Sequence, residues 1–192
     1  MQNNSNFTKI NLPIFQDLDK ELLDLIDNKI ISWGEFNQIC INTTVAEADN
    51  YLFGCSSLTY NWSAAVDTSI TGLTTTIVPK KTTQVQESDF TEFCTQFSGT
   101  SFEKIYNILT STYKVGRIRL MKLEPRRCLS WHTDSSKRLH YPIITQEGCY
   151  MVIENEACHL EKNFWIMTNT EKMHTAFNGS NRSRIHIVAA IL

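Results

Sequence analysis

Trp131-His132-Thr133-Asp134-Ser135-Ser136-Lys137-Arg138-Leu139-His140 sets a histidine and a carboxylate two residues apart, then an arginine and a second histidine at the same spacing. His-x-Asp alone is weak, because chance places one in many chains of this length. The tail of the chain strengthens it: His174 is followed by Asn178, Ser180, Arg184 and His186. In an extended strand alternate residues share a face. His132 and Asp134 can therefore turn to one side of a strand. His174, opening a later strand, can complete a cluster of three ligands.

The sequence around these residues reads as strands. After Gly116 the period becomes two, with Arg117 and Arg119 alternating with Ile118 and Leu120. Short strand-like runs follow at Cys128 to Trp131, Arg138 to Ile144, Cys149 to Ile153, Phe164 to Met167, His174 to Phe177 and Ile185 to Leu192. Glu147-Gly148, Glu154-Asn155, Asn163 and Asn178-Gly179 separate them as turns. Many short strands at this spacing predict a sandwich or barrel.

The first half is less regular. Leu18, Leu22, Leu25 and Ile26 follow helical spacing between Pro13 and Ile30, with Asp17 placed as an N-cap and Gly34 beyond the pattern. Ala46 to Phe53 reads as a short helix, and Gly72 to Val78 as a strand ended by Pro79. Thr100-x-x-Glu103 fits a capping box for a helix ending near Tyr113. Trp33, Tyr60 and Trp62 read as core or pocket wall. The fold class expected is mainly β with flanking helices, in a single domain over 1–192. Residues 1–115 would complete the sheet and shape a pocket, and 116–192 would carry the core strands and the site.

Composition narrows the function. The net charge of −2 leaves no footprint for nucleic acid. Residues 1–96 hold 5 Lys+Arg against 12 Asp+Glu, whereas 97–192 hold 13 against 8, so the half with the motif is basic and suits a small anion. No long apolar span and no signal-like start are present, so a cytoplasmic chain without membrane contact is expected. Six cysteines without a Cys-x-x-Cys pair read as reduced thiols. Cys128, Cys149 and Cys158 read as small buried hydrophobes rather than ligands.

Two imidazoles and one carboxylate, with coordination positions left open, form the ligand set of a non-haem Fe(II) site. A lone histidine in a β-rich chain is usually a satisfied core residue; the three residues together in this order make a metal the better reading. An arginine facing a barrel interior is costly unless it meets an anion. Arg138 and His140 share one parity. Arg182, Arg184 and His186 share another, so parity does not choose between Arg182 and Arg184.

The ordered set Glu124-Pro125, Trp131-His132-Thr133-Asp134, Arg138-Leu139-His140, Glu147-Gly148-Cys149 and His174 with Asn178, Ser180, Arg184 and His186 resembles the aspartyl/asparaginyl β-hydroxylase family of cupin-like Fe(II)/2-oxoglutarate oxygenases. The resemblance covers Arg117 to Leu192. It implies a double-stranded β-helix, the cupin-like jelly roll, with His132, Asp134 and His174 catalytic as ligands of Fe(II). It also implies Arg184 on the distal carboxylate of 2-oxoglutarate, with Arg138 and His140 near cosubstrate or substrate. Arg138 could hold a substrate carboxylate. The activity implied is hydroxylation of an amino-acid side chain, in a peptide (Asp or Asn) or in a free amino acid such as proline. Succinate and CO2 would be released, with ascorbate as a reductant. Two departures stand out: Ala189-Ala190 replace an acidic residue of many relatives, and Met121 replaces a small hydroxyl residue. The alternatives are a cupin-type metalloenzyme without 2-oxoglutarate and a non-catalytic binding module on the same fold.

Overall fold

The two-residue period after Gly116 becomes strands that alternate between two sheets. A computed structural model describes residues 6–56, 58, 62–66, 77–81 and 85–192, with 62–66 and 77–81 as backbone alone. In chain order the elements are β1 (Phe7–Ile10), α1 (Leu18–Asp27), β2 (Gln38–Cys40), β3 (Asn42–Thr43), β4 (Trp62–Val66), β5 (Ile77–Lys81), β6 (Glu92–Phe93) and α2 (Ser101–Thr112). Then come β7 (Val115–Leu123), β8 (Arg127–Cys128), β9 (Arg138–Ile144), β10 (Cys149–Ile153), β11 (Glu156–Cys158), β12 (Trp165–Thr168), β13 (His174–Asn178) and β14 (Arg184–Ile191).

One antiparallel sheet has the order β1-β12-β9-β14-β7-β2, and the other β11-β10-β13-β8. From β7 onward the chain passes back and forth between them: β7, β9, β12 and β14 lie in the larger sheet, and β8, β10, β11 and β13 in the smaller. This is the jelly-roll winding of a double-stranded β-helix.

The larger sheet is buried on both faces, for different reasons. Ile118 and Leu120 of β7, Leu139, Tyr141 and Ile143 of β9, and Ile185, Ile187 and Ala189 of β14 pack with Leu18, Leu22 and Leu25 of α1 and Phe102, Ile105 and Leu109 of α2. The main apolar core therefore lies outside the roll, beneath the helices. The alternate residues, Arg117, Arg119, Arg138, His140, Arg184 and His186, line a cavity on the other face. Between the sheets Met151, Ile153, Leu160 and Ile166 form a small apolar cluster.

Several sequence expectations need correction. Asp17 does precede α1, but its backbone is left-handed (φ 57°) and its side chain caps nothing; a capping side chain works from an extended backbone. The helix closes at Lys29, not Gly34. Lys29 takes the left-handed position, donating to Ile26 O at 2.9 Å while Ile30 N donates to Leu25 O at 2.9 Å. Thr100 caps α2 by accepting from Phe102 N at 3.1 Å, yet Glu103 receives Gly99 N rather than Thr100 N. Residues 46–53 form no α-helix: a 3-10 turn at Val45–Glu47 is stopped by Asp49, whose φ is 62°. Most of the predicted strand 72–78 lies outside the described residues, as does Tyr60. Its described end, β5, runs through Pro79 and pairs with β4 in a two-stranded ribbon, where proline is tolerated at an edge.

Gly116 is in β7, not at a helix end. A Cβ there would stand 2.8 Å from Glu87 Cβ and 2.9 Å from Glu87 O, so glycine lets that segment press against the sheet. Asn42, fully buried, ties the same region together: its amide donates to Phe90 O at 2.7 Å and Gly116 O at 2.9 Å, and its oxygen accepts from Ile118 N at 2.7 Å. Asn42→Ala strands three buried backbone groups, each worth roughly 1–3 kcal/mol when unsatisfied. Allowing for relaxation, a loss of roughly 3 kcal/mol is expected, lowering Tm by about 6–12 °C for a chain of this size. Differential scanning calorimetry checks it; an unchanged Tm would show that Asn42 is dispensable.

Candidate metal centre

His132 and Asp134 do not lie on a regular strand, contrary to the strand argument made from their spacing. The pairing predicted over 128–131 is reduced to β8 and a bond from Leu129 N to Ala176 O at 2.9 Å. His132 and His174 then exchange backbone bonds as an isolated bridge, at 3.1 and 2.9 Å, and Asp134 N donates to Thr170 O at 2.8 Å. These bonds hold the irregular segment beside the start of β13.

The side chains converge all the same. One ligand atom each from His132, Asp134 and His174 lies within 4.8 Å of the other two, the one such cluster among the described residues. Asp134 Oδ1 is 3.9 Å from His132 Nε2, and Oδ2 is 3.7 Å from His174 Nε2. His132 Nδ1 lies 2.8 Å from Ser130 O, and His174 Nδ1 2.9 Å from Lys172 O. A carbonyl can only accept, so each Nδ1 carries the proton and each Nε2 keeps its lone pair for the cluster. Backbone carbonyls that fix the tautomer in this way are a common support for metal-bound imidazole. Burial, with the neighbouring His132 adding to it, keeps His174 below the ordinary histidine value despite the Lys172 carbonyl and Asp134, which favours the neutral ligand form. The donor set fits a divalent metal, and its nitrogen and carboxylate character suits Fe(II).

The cluster opens into a cavity of about 650 Å³. Arg138 is buried there and pairs with Asp134 Oδ2 at 3.1 Å and Glu87 Oε1 at 3.3 Å, and it donates to Ser136 Oγ at 2.6 Å. Its place is the cavity wall, not a rim. Glu87 also receives Arg117, Nη2 to Oε1 at 2.8 Å and Nε to Oε2 at 3.0 Å. Burial raises the Glu87 carboxyl, but the Arg117 contacts and Arg138 outweigh it and hold the pKa at about 2. Arg184 is buried in the wall and donates from Nε to His186 Nε2 at 2.9 Å. Burial pulls it down to about 10, still a cation at neutral pH. Arg182 is exposed in the bend before β14, outside the strand, so the ambiguity of parity is resolved by strand boundaries. His140 is buried, and among the described residues neither ring nitrogen has a hydrogen-bond partner; burial, then Arg184, drives it well below the usual histidine value, so it is neutral.

Sequence reading missed Glu87, Gln38 and the cavity roles of Arg117 and Arg119. The alternation of Arg117 and Arg119 with aliphatics was the available signal for the arginines. Nothing local marks Glu87 or Gln38. The cysteines near the motif are free and differ in setting: Cys149 is buried, Cys158 is half-buried and Cys128 is exposed, so Cys128 is not the buried hydrophobe expected.

Residues 80–192, more than half of the chain, match the family described as aspartyl/asparaginyl beta-hydroxylase. The match starts well before Arg117 and takes in Glu87. No curated protein matches the chain. Among solved structures, a cupin domain from Bordetella pertussis is 14% identical, with 40% of this chain and 80% of that one covered, at a TM-score of 0.35. AerE from Microcystis aeruginosa is 21% identical over 40% and 35% of the two chains, at 0.35. A 2OG-Fe(II) oxygenase family oxidoreductase from Burkholderia pseudomallei is 11% identical over 50% and 54%, at 0.37.

Two outcomes are expected from this geometry. Asp134→Ala should weaken binding of Mn(II), a redox-stable stand-in, by more than about tenfold in calorimetric titration, because two neutral imidazoles then face the cation alone. Circular dichroism should stay native, since Arg138 keeps Glu87 and Ser136; unchanged Mn(II) affinity would remove Asp134 from the cluster. Glu87 sets a pH dependence. Its folded value lies below the unfolded one, so its stabilisation is fully present above about pH 4.5 and is lost as pH falls toward about 2. Glu87→Gln should therefore cost roughly 3 kcal/mol at pH 7 and little near pH 2. Urea midpoints across that range measure it; parallel curves for the two proteins would contradict it.

Proposed function

The chain belongs to the aspartyl/asparaginyl β-hydroxylase family, and on that premise we propose that it is an Fe(II)- and 2-oxoglutarate-dependent oxygenase that hydroxylates an amino-acid side chain. One observation carries the reading. Arg184 is a buried cation whose hydrogen-bond partner is a neutral histidine, and it shares one cavity with the His132, Asp134 and His174 cluster. A buried guanidinium without a carboxylate needs an anion from outside. A dicarboxylate held near the cluster by one end would meet it with the other.

Bound Fe(II), with 2-oxoglutarate and O2, supplies the oxidation of a C–H bond, with succinate and CO2 as coproducts. His132, Asp134 and His174 would hold the metal, with both histidines locked by their Nδ1 bonds. Arg138 positions Asp134 through the bond at 3.1 Å and balances its charge. Arg184 would meet the distal carboxylate with the guanidinium N–H groups that His186, 2.9 Å from Nε and 3.0 Å from Nη2, leaves free. Neutral His140 offers one donor and one acceptor to a bound carboxylate or carbonyl. His132, whose side chain is 40% exposed, marks the side open to substrate. The substrate is proposed as an amino-acid side chain, in a peptide or a free amino acid such as proline.

Arg184→Gln should raise the Michaelis constant for 2-oxoglutarate by more than about tenfold, the usual cost of removing a buried charged partner. Arg184→Lys should recover part of it, because an ammonium lacks the planar fork. Arg182→Ala, at an exposed position, is the control. The assay follows succinate and a product heavier by one oxygen atom, with Fe(II), ascorbate and panels of amino acids and peptides. If the sharp rise follows Arg182→Ala instead, the arginine is misassigned. If neither variant changes it, the chain does not use 2-oxoglutarate.

A further inference from the structure

The cavity holds more cation than the proposed reaction needs. Four guanidiniums line it, those of Arg117, Arg119, Arg138 and Arg184, against the carboxylates of Glu87 and Asp134. Both carboxylates are engaged, Glu87 by Arg117 and Arg138, and Asp134 by Arg138. A divalent metal and a dianionic cosubstrate cancel each other, so the excess positive charge persists after both have bound.

The excess falls on Arg119. It is 7% exposed, and its buried Nε has no hydrogen-bond partner among the described residues. Among the described residues its hydrogen bonds run from Nη1 alone, to Gln38 Oε1 at 2.9 Å and Ser56 O at 3.4 Å. Gln38 therefore tethers one nitrogen and leaves the Nε–Nη2 edge, the side of a guanidinium that takes a carboxylate by two parallel bonds. Burial pulls Arg119 down to about 10, with Arg117 adding to the effect, so it is charged at neutral pH. In the sheet Arg119 stands opposite Val188, and Val188 stands opposite His140. Arg119 and the unpaired His140 are thus two strands apart, roughly 10 Å, a span suited to a small molecule.

We propose that Arg119, held by Gln38, anchors a carboxylate of the substrate, so that the chain acts on a small amino acid bearing its own carboxylate. Calling this ligand the substrate rests on the oxygenase reading above. The role considered for Arg138 passes to Arg119, because Arg138 is saturated by Asp134, Glu87 and Ser136.

Calorimetric titration tests this on the Mn(II)-loaded protein, with and without 2-oxoglutarate. The probes are free L-amino acids and their carboxamides, and the proteins are wild type, Arg119→Gln and Arg119→Lys. Wild type should bind one or more amino acids at least about tenfold more tightly than the matching amide, the scale expected for a buried charge pair. Arg119→Gln should lose that preference while 2-oxoglutarate binds as before, and Arg119→Lys should keep part of it. Should Arg119→Gln fail to fold, Arg119→Lys, which keeps the charge but not the fork, carries the comparison. The proposal is overturned if amino acid and amide bind alike, if the Arg119 variants keep the preference, or if their loss falls on 2-oxoglutarate. If wild type takes up no 2-oxoglutarate while amino-acid binding still depends on Arg119, the cosubstrate assignment fails and the carboxylate site stands.

Discussion

Burial of the larger sheet on both faces is the constraint from which the rest of this molecule follows. A strand covered on both sides usually carries apolar residues throughout. Here β7, β9 and β14 send aliphatic residues to α1 and α2 and basic residues to the other side. The helices take over the core, and the space between the sheets is left for charge. Such an interior is stable only if anions are supplied, by the chain or by ligands. Glu87 and Asp134 supply two, and the remaining demand falls on Arg184 and Arg119.

Glu87 links the two halves of the chain. It lies on a 3-10 turn at Glu87–Asp89, far in sequence from the His132, Asp134 and His174 cluster, yet it pairs with both Arg117 and Arg138. Arg138 in turn holds Asp134. Gly116 permits the approach, because any side chain there would collide with Glu87. Ala190 is buried opposite Arg138 on the neighbouring strand and offers it no charge. The carboxylates on Arg138 come from Asp134 and Glu87.

Much was legible from local pattern. β9 and β10 fall at Arg138–Ile144 and Cys149–Ile153, where alternation and flanking turns placed them. Gly148, Glu154 and Asn163 take positive φ between strands, as their turn chemistry suggests. The helical spacing of Leu18, Leu22 and Leu25 becomes the face that meets the sheet. Ends were harder. A cap depends on one backbone torsion, and Asp17 adopts the left-handed region, where its side chain does not reach the first turn.

The sequence by itself determined the residue types of the candidate cluster and their order, and the alternation that sends His140, Arg138 and Arg184 inward, which follows from a period of two along single strands. Tertiary structure alone decided the rest. It separated Arg184 from Arg182 by where β14 begins, since shared parity cannot say which residue is still in the strand. It brought His132 and Asp134 to His174 through an isolated bridge, although neither lies on a regular strand. It also matched Glu87 to Arg117 and Arg138 and, among the described residues, gave Arg119 no carboxylate partner. Pairing between distant segments depends on how sheets pack and which backbones approach, and no local spacing encodes that.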